Sequence, residues 1–169
     1  GLVVNGQKPN FDEPKELGLE AVAESKIRQA LDLIKGSELE GSVILVEDSG
    51  IFLDAFPEWP GAQSSDVEKE IGLEGIIDRV NESGNSGAEY RAVAILSDGN
   101  QVWKSQGICR GKISDYPRGS NGFGYDPIFI PEEGGGGTFG ELGKEIKNQI
   151  SHRKKVMQGL SNLLKSPSR

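Results

Sequence analysis

The stretch Arg118-Gly-Ser-Asn-Gly-Phe-Gly-Tyr-Asp-Pro-Ile-Phe-Ile130 constrains this chain more than any other. It opens as a loop of small residues and closes as an apolar strand. Gly119, Gly122 and Gly124 allow tight turns and a close approach of backbone to a ligand. Phe123 sits between two of those glycines, with little backbone bulk over its ring. Asp126 starts the strand, and Pro127 removes a ladder donor there. An aromatic ring on a thin loop beside a carboxylate can stack on a planar ligand and hydrogen-bond its edge. Downstream, Lys147-Asn-Gln-Ile-Ser-His-Arg153 places three cationic or protonatable side chains at the start of the last helix. Together these features point to a nucleotide. The competing reading is a glycine-rich turn before a core strand, with Phe123 packed inside.

The remainder of the chain bounds the function. Its 169 residues suit one domain, 1–169, with a sizeable core and no internal repeat. A net charge of −7 argues against nonspecific nucleic-acid binding but not against a triphosphate, which needs only a few local cations and a metal. The single cysteine, Cys109, cannot form an internal disulfide, so a reducing, cytoplasmic setting is expected. It falls in an apparent strand with no histidine near it in sequence, and reads as a packing residue rather than a nucleophile. No apolar run is long enough to cross a membrane, and the start shows no signal-peptide pattern, so no membrane partner is expected.

In chain order, Leu2-Val-Val4 reads as a short strand. Leu17 to Ile34 reads as a helix with Val22, Ile27, Ala30, Leu31 and Ile34 on one face. Lys26 on that helix faces either solvent or a site. Ser42 to Val46 reads as a buried strand from its unbroken apolar run, stopped by Glu47-Asp-Ser49 and resumed at Gly50 to Leu53. Adjacent carboxylates at the end of a buried strand call for a partner, and a divalent cation is the usual one; a solvated turn is the alternative. Pro57 to Gly61 is a rigid turn in which Trp59 serves packing. A weak helix is expected around Val67 to Val80. Two strands, Tyr90–Leu96 and Val102–Cys109, are joined at Asp98-Gly99, and the second continues to Ile113. Pro131 to Gly137 reads as a surface loop leading to a short helix. The last helix starts at Ser151 as N-cap, with Val156, Leu160, Leu163 and Leu164 at helical spacing. His152 and Arg153 then fall in a first turn that already favours an anion.

Three segments, Phe123-Gly-Tyr-Asp-Pro127, Ser151-His-Arg153 and Val46-Glu-Asp-Ser-Gly50, together resemble the inosine triphosphate pyrophosphatase family, over roughly Leu2 to Leu164. The resemblance implies an elongated α/β fold: a mixed central sheet flanked by helices, two lobes with a cleft between them, and a homodimer. It implies magnesium-dependent hydrolysis of deaminated purine triphosphates (ITP, dITP, XTP) to the monophosphate and pyrophosphate. Carried over by motif, Asp48 is the metal-binding and water-activating acid, with Glu13 or Glu47 as second ligand. Lys26 and Ser49 face the substrate. Phe123, Gly124, Tyr125 and Asp126 form the base segment, and Lys147, His152 and Arg153 read the 6-keto purine and its phosphates. The roles make chemical sense, because O6 of such a base accepts where adenine's amino group donates.

There are departures. The family opens with a strand and a Thr-Gly-Asn-x-x-Lys loop that cradles the triphosphate, and no such segment precedes Leu2. Pro60 to Ser65 lacks the usual tyrosine and basic residue, and Ile146 stands where an acid is common. Without the upstream loop, the resemblance implies weaker binding and turnover than in a form that carries it. A nucleotide-binding protein with weak or no turnover is therefore the second reading, and a plain α/β interaction domain the third.

Overall fold

The computed structural model describes residues 4–7 and 9–165. In chain order the elements are α1 (Leu19–Ile34), β1 (Ile44–Leu53), β2 (Phe56–Pro60), α2 (Ser64–Ser83), β3 (Gly87–Ser97), β4 (Val102–Ile113), β5 (Phe129–Pro131), α3 (Lys144–Ile150) and α4 (His152–Lys165). The strands form one sheet in the order β2-β1-β3-β4-β5. This is an α/β fold, as expected. In place of a mixed sheet, every pairing among the described residues is antiparallel. The reason is connectivity. Hairpins join β1 to β2 and β3 to β4, and no helical crossover links two neighbouring strands in the same direction.

β3 is buried on both faces, so α1 and α4 can each lie on one side of it. α1 sets Leu19, Ala23 and Ile27 against Phe52, Val93 and Ile95. α4 sets Val156 and Leu160 against Ala92 and Ala94, whose small side chains let the helix approach closely. The approach is close at Gly107 on β4, where a Cβ would fall 2.2 Å from the His152 carbonyl oxygen and 2.4 Å from the Val156 nitrogen. A third cluster joins α2, the end of β1, β5 and the loops beyond, around Ile51, Ile76, Phe129 and Phe139. Cys109 is buried in it, and burial pushes its thiol up to about 11, as befits a packing residue.

Several local expectations change. β1 is not stopped by its carboxylates: it runs on through Glu47 to Gly50, with Asp48 opposite Val93 and Ser49 opposite Ala92. Ladder bonds use backbone groups, so polar side chains do not end a strand whose alternate positions have a polar place to go. Nor is its first half fully buried, since Leu45 is 48% exposed, as is Val43 just before the strand at 61%. Leu2 and Val3 of the expected first strand lie outside the described residues, and Val4 is exposed coil. The weak helix is α2, broken at Gly72, whose φ of 68° is non-helical. Ser151 caps α4 as expected, its Oγ accepting from the Lys154 N–H at 3.2 Å. Among the described residues, no helix is long and apolar enough to cross a membrane.

Candidate active site

Successive side chains of β1 point to opposite faces of the sheet. Asp48 shares the α1 face with Val46 and Phe52, while Glu47 and Ser49 face α4. Two groups of candidate side chains are thereby separated by one strand.

On the α1 face, Lys26 donates to Asp48 Oδ1 at 2.7 Å and lies 2.9 Å from Glu13 Oε1. Glu13 sits in an irregular segment that α1 holds in place. Gln29 Nε2 and Ser25 Oγ both donate to the Asp12 carbonyl, and Gln29 Oε1 accepts the Asp12 N–H. Positions 25 and 29 fall one turn apart on α1, beside Lys26. Burial raises the Asp48 carboxyl above its ordinary value, an effect that Lys26 only partly offsets. Burial alone would lower the Lys26 ammonium, but its bonds to Asp48 and Glu13 leave it raised. Of the trio, Glu13 and Lys26, with Glu47 at the end of the lining, border an open groove of about 950 Å³ between α1 and β1. Glu47 is not part of the trio; Arg153 Nε donates to it at 3.3 Å on the other face. Among the described residues no three acidic, histidine or cysteine side chains converge as a ready metal cage. Two carboxylates already bridged by one cation are nevertheless suited to a hard divalent ion that keeps water and phosphate as its other ligands.

On the α4 face lies a cavity of about 400 Å³. The glycine loop forms one wall. Asp126, 2% exposed, organises it: Oδ2 accepts the Phe123 N–H at 2.8 Å and a short contact from Lys147 Nζ. Gly122 is needed at this point, because with φ of 78° any Cβ would fall 2.0 Å from Asp126 Oδ2. Phe123 itself is 64% exposed, which removes the reading of a packed core ring. Lys147 Nζ lies 4.9 Å and Arg153 Cζ 5.2 Å from its ring centroid, so the exposed ring is in contact with two cations. Tyr125 turns away, donating its hydroxyl to the Ser64 carbonyl at 2.8 Å and tying the loop to α2. Gly124, at φ of 59°, makes the turn between them.

The rear of the cavity is His152, 5% exposed, with its Nδ1 unpartnered among the described residues. Burial, reinforced by the Arg153 and Lys147 charges, lowers its pKa to about 3. The imidazole is therefore neutral near pH 7 and can donate at one nitrogen and accept at the other. Arg153 is steadied from β1, its guanidinium donating to Ser49 Oγ at 3.3 Å.

The fold thus brings Ser49, Phe123, Asp126, Lys147, His152 and Arg153 around one cavity, and Glu13, Lys26 and Asp48 together across the strand. Several lining residues were not singled out from sequence, and Tyr90 is the one whose contacts matter most here. Tyr90 in β3 stacks on the His152 ring at 4.6 Å and 8°. Its signal was a hydroxyl-bearing aromatic inside a strand buried on both faces, where the hydroxyl must find a partner.

Comparison with known proteins agrees with this architecture. The Ham1 family profile matches residues 2–163. A dITP/XTP pyrophosphatase of Methanopyrus kandleri is 36% identical over 167 residues, covering 98% of this chain and 85% of that protein. One of Pyrobaculum aerophilum is 40% identical over 120 residues, 71% of this chain but 64% of the relative, so the match spans less than two thirds of that protein's length. An inosine triphosphate pyrophosphatase of Candida glabrata is 35% identical over 92% of this chain and 79% of its own. Among solved structures, the Staphylococcus aureus Ham1 protein superposes with a TM-score of 0.79 at 27% identity, covering 92% of this chain and 80% of that one.

Proposed function

The chain belongs to the Ham1 family, and on that premise we propose that it hydrolyses deaminated purine nucleoside triphosphates, such as dITP, XTP and ITP, to the monophosphate and pyrophosphate. The observation that carries the reading is one exposed ring, Phe123, flanked by Lys147 and Arg153 in front of a buried neutral histidine. Phe123 stacks on the purine. Lys147 and Arg153 donate to the 6-keto oxygen, and the amino group of adenine would meet the same donors unpaired.

The triphosphate extends past β1 toward Asp48, Glu13 and Lys26. Glu13 and Asp48 would hold a divalent cation, magnesium in this reading, which when bound neutralises phosphate charge and lowers the pKa of a bound water. Lys26 leaves its carboxylates for a phosphate oxygen. Asp48, released from Lys26, accepts a proton from the attacking water at a carboxylate oxygen. One water is consumed, and the bond between the first and second phosphates is broken. The same reading takes the chain as a homodimer that works in the cytoplasm.

The test is pyrophosphate release from dITP, XTP, ITP and ATP, with and without Mg2+, by the wild type and by Asp48→Asn. The deaminated substrates should be preferred, and Asp48→Asn should fold normally yet lose about 10²–10⁴-fold in turnover. Wild-type turnover in the variant would remove Asp48 from the chemistry. Binding without turnover by the wild type would favour a nucleotide-binding protein.

A further inference from the structure

We propose that Tyr90 is the positioning residue of the base cavity: its ring fixes the plane of His152, and its hydroxyl fixes Asp126 and, through it, Lys147 and the Phe123 loop. The proposal rests on the reading of that cavity as the purine site.

The first observation concerns His152. A histidine used for recognition usually has one ring nitrogen tied to the protein, which sets both orientation and tautomer. Here Nδ1 has no partner among the described residues. What holds the ring is the stack on Tyr90, at 4.6 Å and 8° from parallel. Tyr90 cannot drift, because its own ring is gripped edge-on by Phe129 at 4.8 Å and it is only 9% exposed. Its place in the sheet is set by backbone pairing with Ile51 and Cys109.

The second observation concerns Asp126. Its Oδ2 serves the Phe123 N–H and Lys147, while its Oδ1 accepts from the Tyr90 hydroxyl at 3.4 Å. The carboxylate is thus held at both ends, and the two reading elements hang from one of them. Burial, and behind it the Asp126 charge, push the Tyr90 phenol well above its ordinary value, so the hydroxyl stays a donor. Removing that donor leaves Oδ1 of a buried carboxylate with no other donor among the described residues, free to swing toward Lys147 and draw it off the base edge. Tyr90 therefore acts on specificity through Asp126 and His152 and does not itself meet the scissile phosphates.

The chain has a single histidine, which makes the test direct: in tag-free protein every imidazole signal belongs to His152. Tyr90→Phe keeps the stack and removes the hydroxyl. We expect unchanged His152 ring signals, kcat within about 2-fold, and KM for ITP raised about 5–10-fold, the equivalent of one hydrogen bond. The ITP-to-ATP preference should shrink by a similar factor. Tyr90→Leu removes both contacts. In the absence of nucleotide, its His152 ring resonances should shift and broaden, because the ring loses the partner that fixes its plane. The proposal is overturned if Tyr90→Phe retains wild-type KM and preference, if it lowers kcat alone, or if Tyr90→Leu leaves the His152 ring signals of the nucleotide-free protein unchanged. A wild type that shows no preference for ITP overturns the functional reading instead. The His152 ring signals in nucleotide-free protein then decide alone whether Tyr90 holds the histidine.

Discussion

Replacing Lys26 with methionine is expected to tighten divalent-cation binding in the absence of nucleotide, although Lys26 is itself a substrate contact in the proposed function. The ammonium stands between Asp48 Oδ1 at 2.7 Å and Glu13 Oε1 at 2.9 Å, with only 16% of the lysine side chain exposed. A cation entering there must break both bonds. Each charge-assisted bond is worth about 1.5–3 kcal/mol. Lys26 recovers part of that by turning to water, so a net penalty of about 1.5–3 kcal/mol remains, roughly 10–100-fold in Kd. Methionine keeps the apolar stem and removes the charge. One effect opposes the gain: without Lys26 the Asp48 carboxyl, already raised by burial, rises further, and protonation competes with the metal. The measurement is therefore Mn2+ binding by calorimetry at pH 8 without nucleotide. Thermal unfolding of Lys26→Met should also show a lowered Tm that Mn2+ restores, because two carboxylates are left without their counter-ion. Unchanged or weaker Mn2+ affinity in the variant would show that the ammonium does not stand in the cation's place.

Two further outcomes follow from the α4 face. Phe123→Ala should leave stability within about 0.5 kcal/mol, because the ring is mostly exposed. It should weaken a non-hydrolysable ITP analogue by about 1–3 kcal/mol. A collapsed Tm with intact affinity would make Phe123 a packing residue. His152 is held near pKa 3 against an unfolded value of 6.5, so the folded state binds fewer protons between those limits. Stability is then full above pH 6.5 and falls by about 1.4 kcal/mol for each pH unit below it, toward pH 3. Denaturant titrations at pH 7, 5.5 and 4.5 should show that slope flatten in His152→Asn, and identical slopes in both proteins would refute it.

Much of this site was legible in the sequence because its components are local. Hydrophobic spacing marked α1 and α4, Asp98-Gly99 marked the β3–β4 hairpin, and Ser151 marked a helix start that carries His152 and Arg153. The glycine loop exposed Phe123, and that needed only the small residues on either side of it. Other properties came from long-range packing. Whether Glu47-Asp48-Ser49 ends β1 depends on β3 lying alongside to continue the ladder, and β3 begins some forty residues later. Once the strand is continuous, its alternation divides adjacent carboxylates between α1 and α4, so Glu47 pairs with Arg153 while Asp48 pairs with Lys26. The neutrality of His152 was likewise unreadable, because desolvation is supplied by whatever packs over a side chain and not by its sequence neighbours. Tyr90 owes its place to the same cause: a hydroxyl thirty-six positions from Asp126 meets it only when β3 and the glycine loop are brought together by the core beneath them. The chain dictated which groups could do chemistry; the sheet decided which of them face one another, because contact across strands is set by backbone register and burial rather than by distance along the sequence.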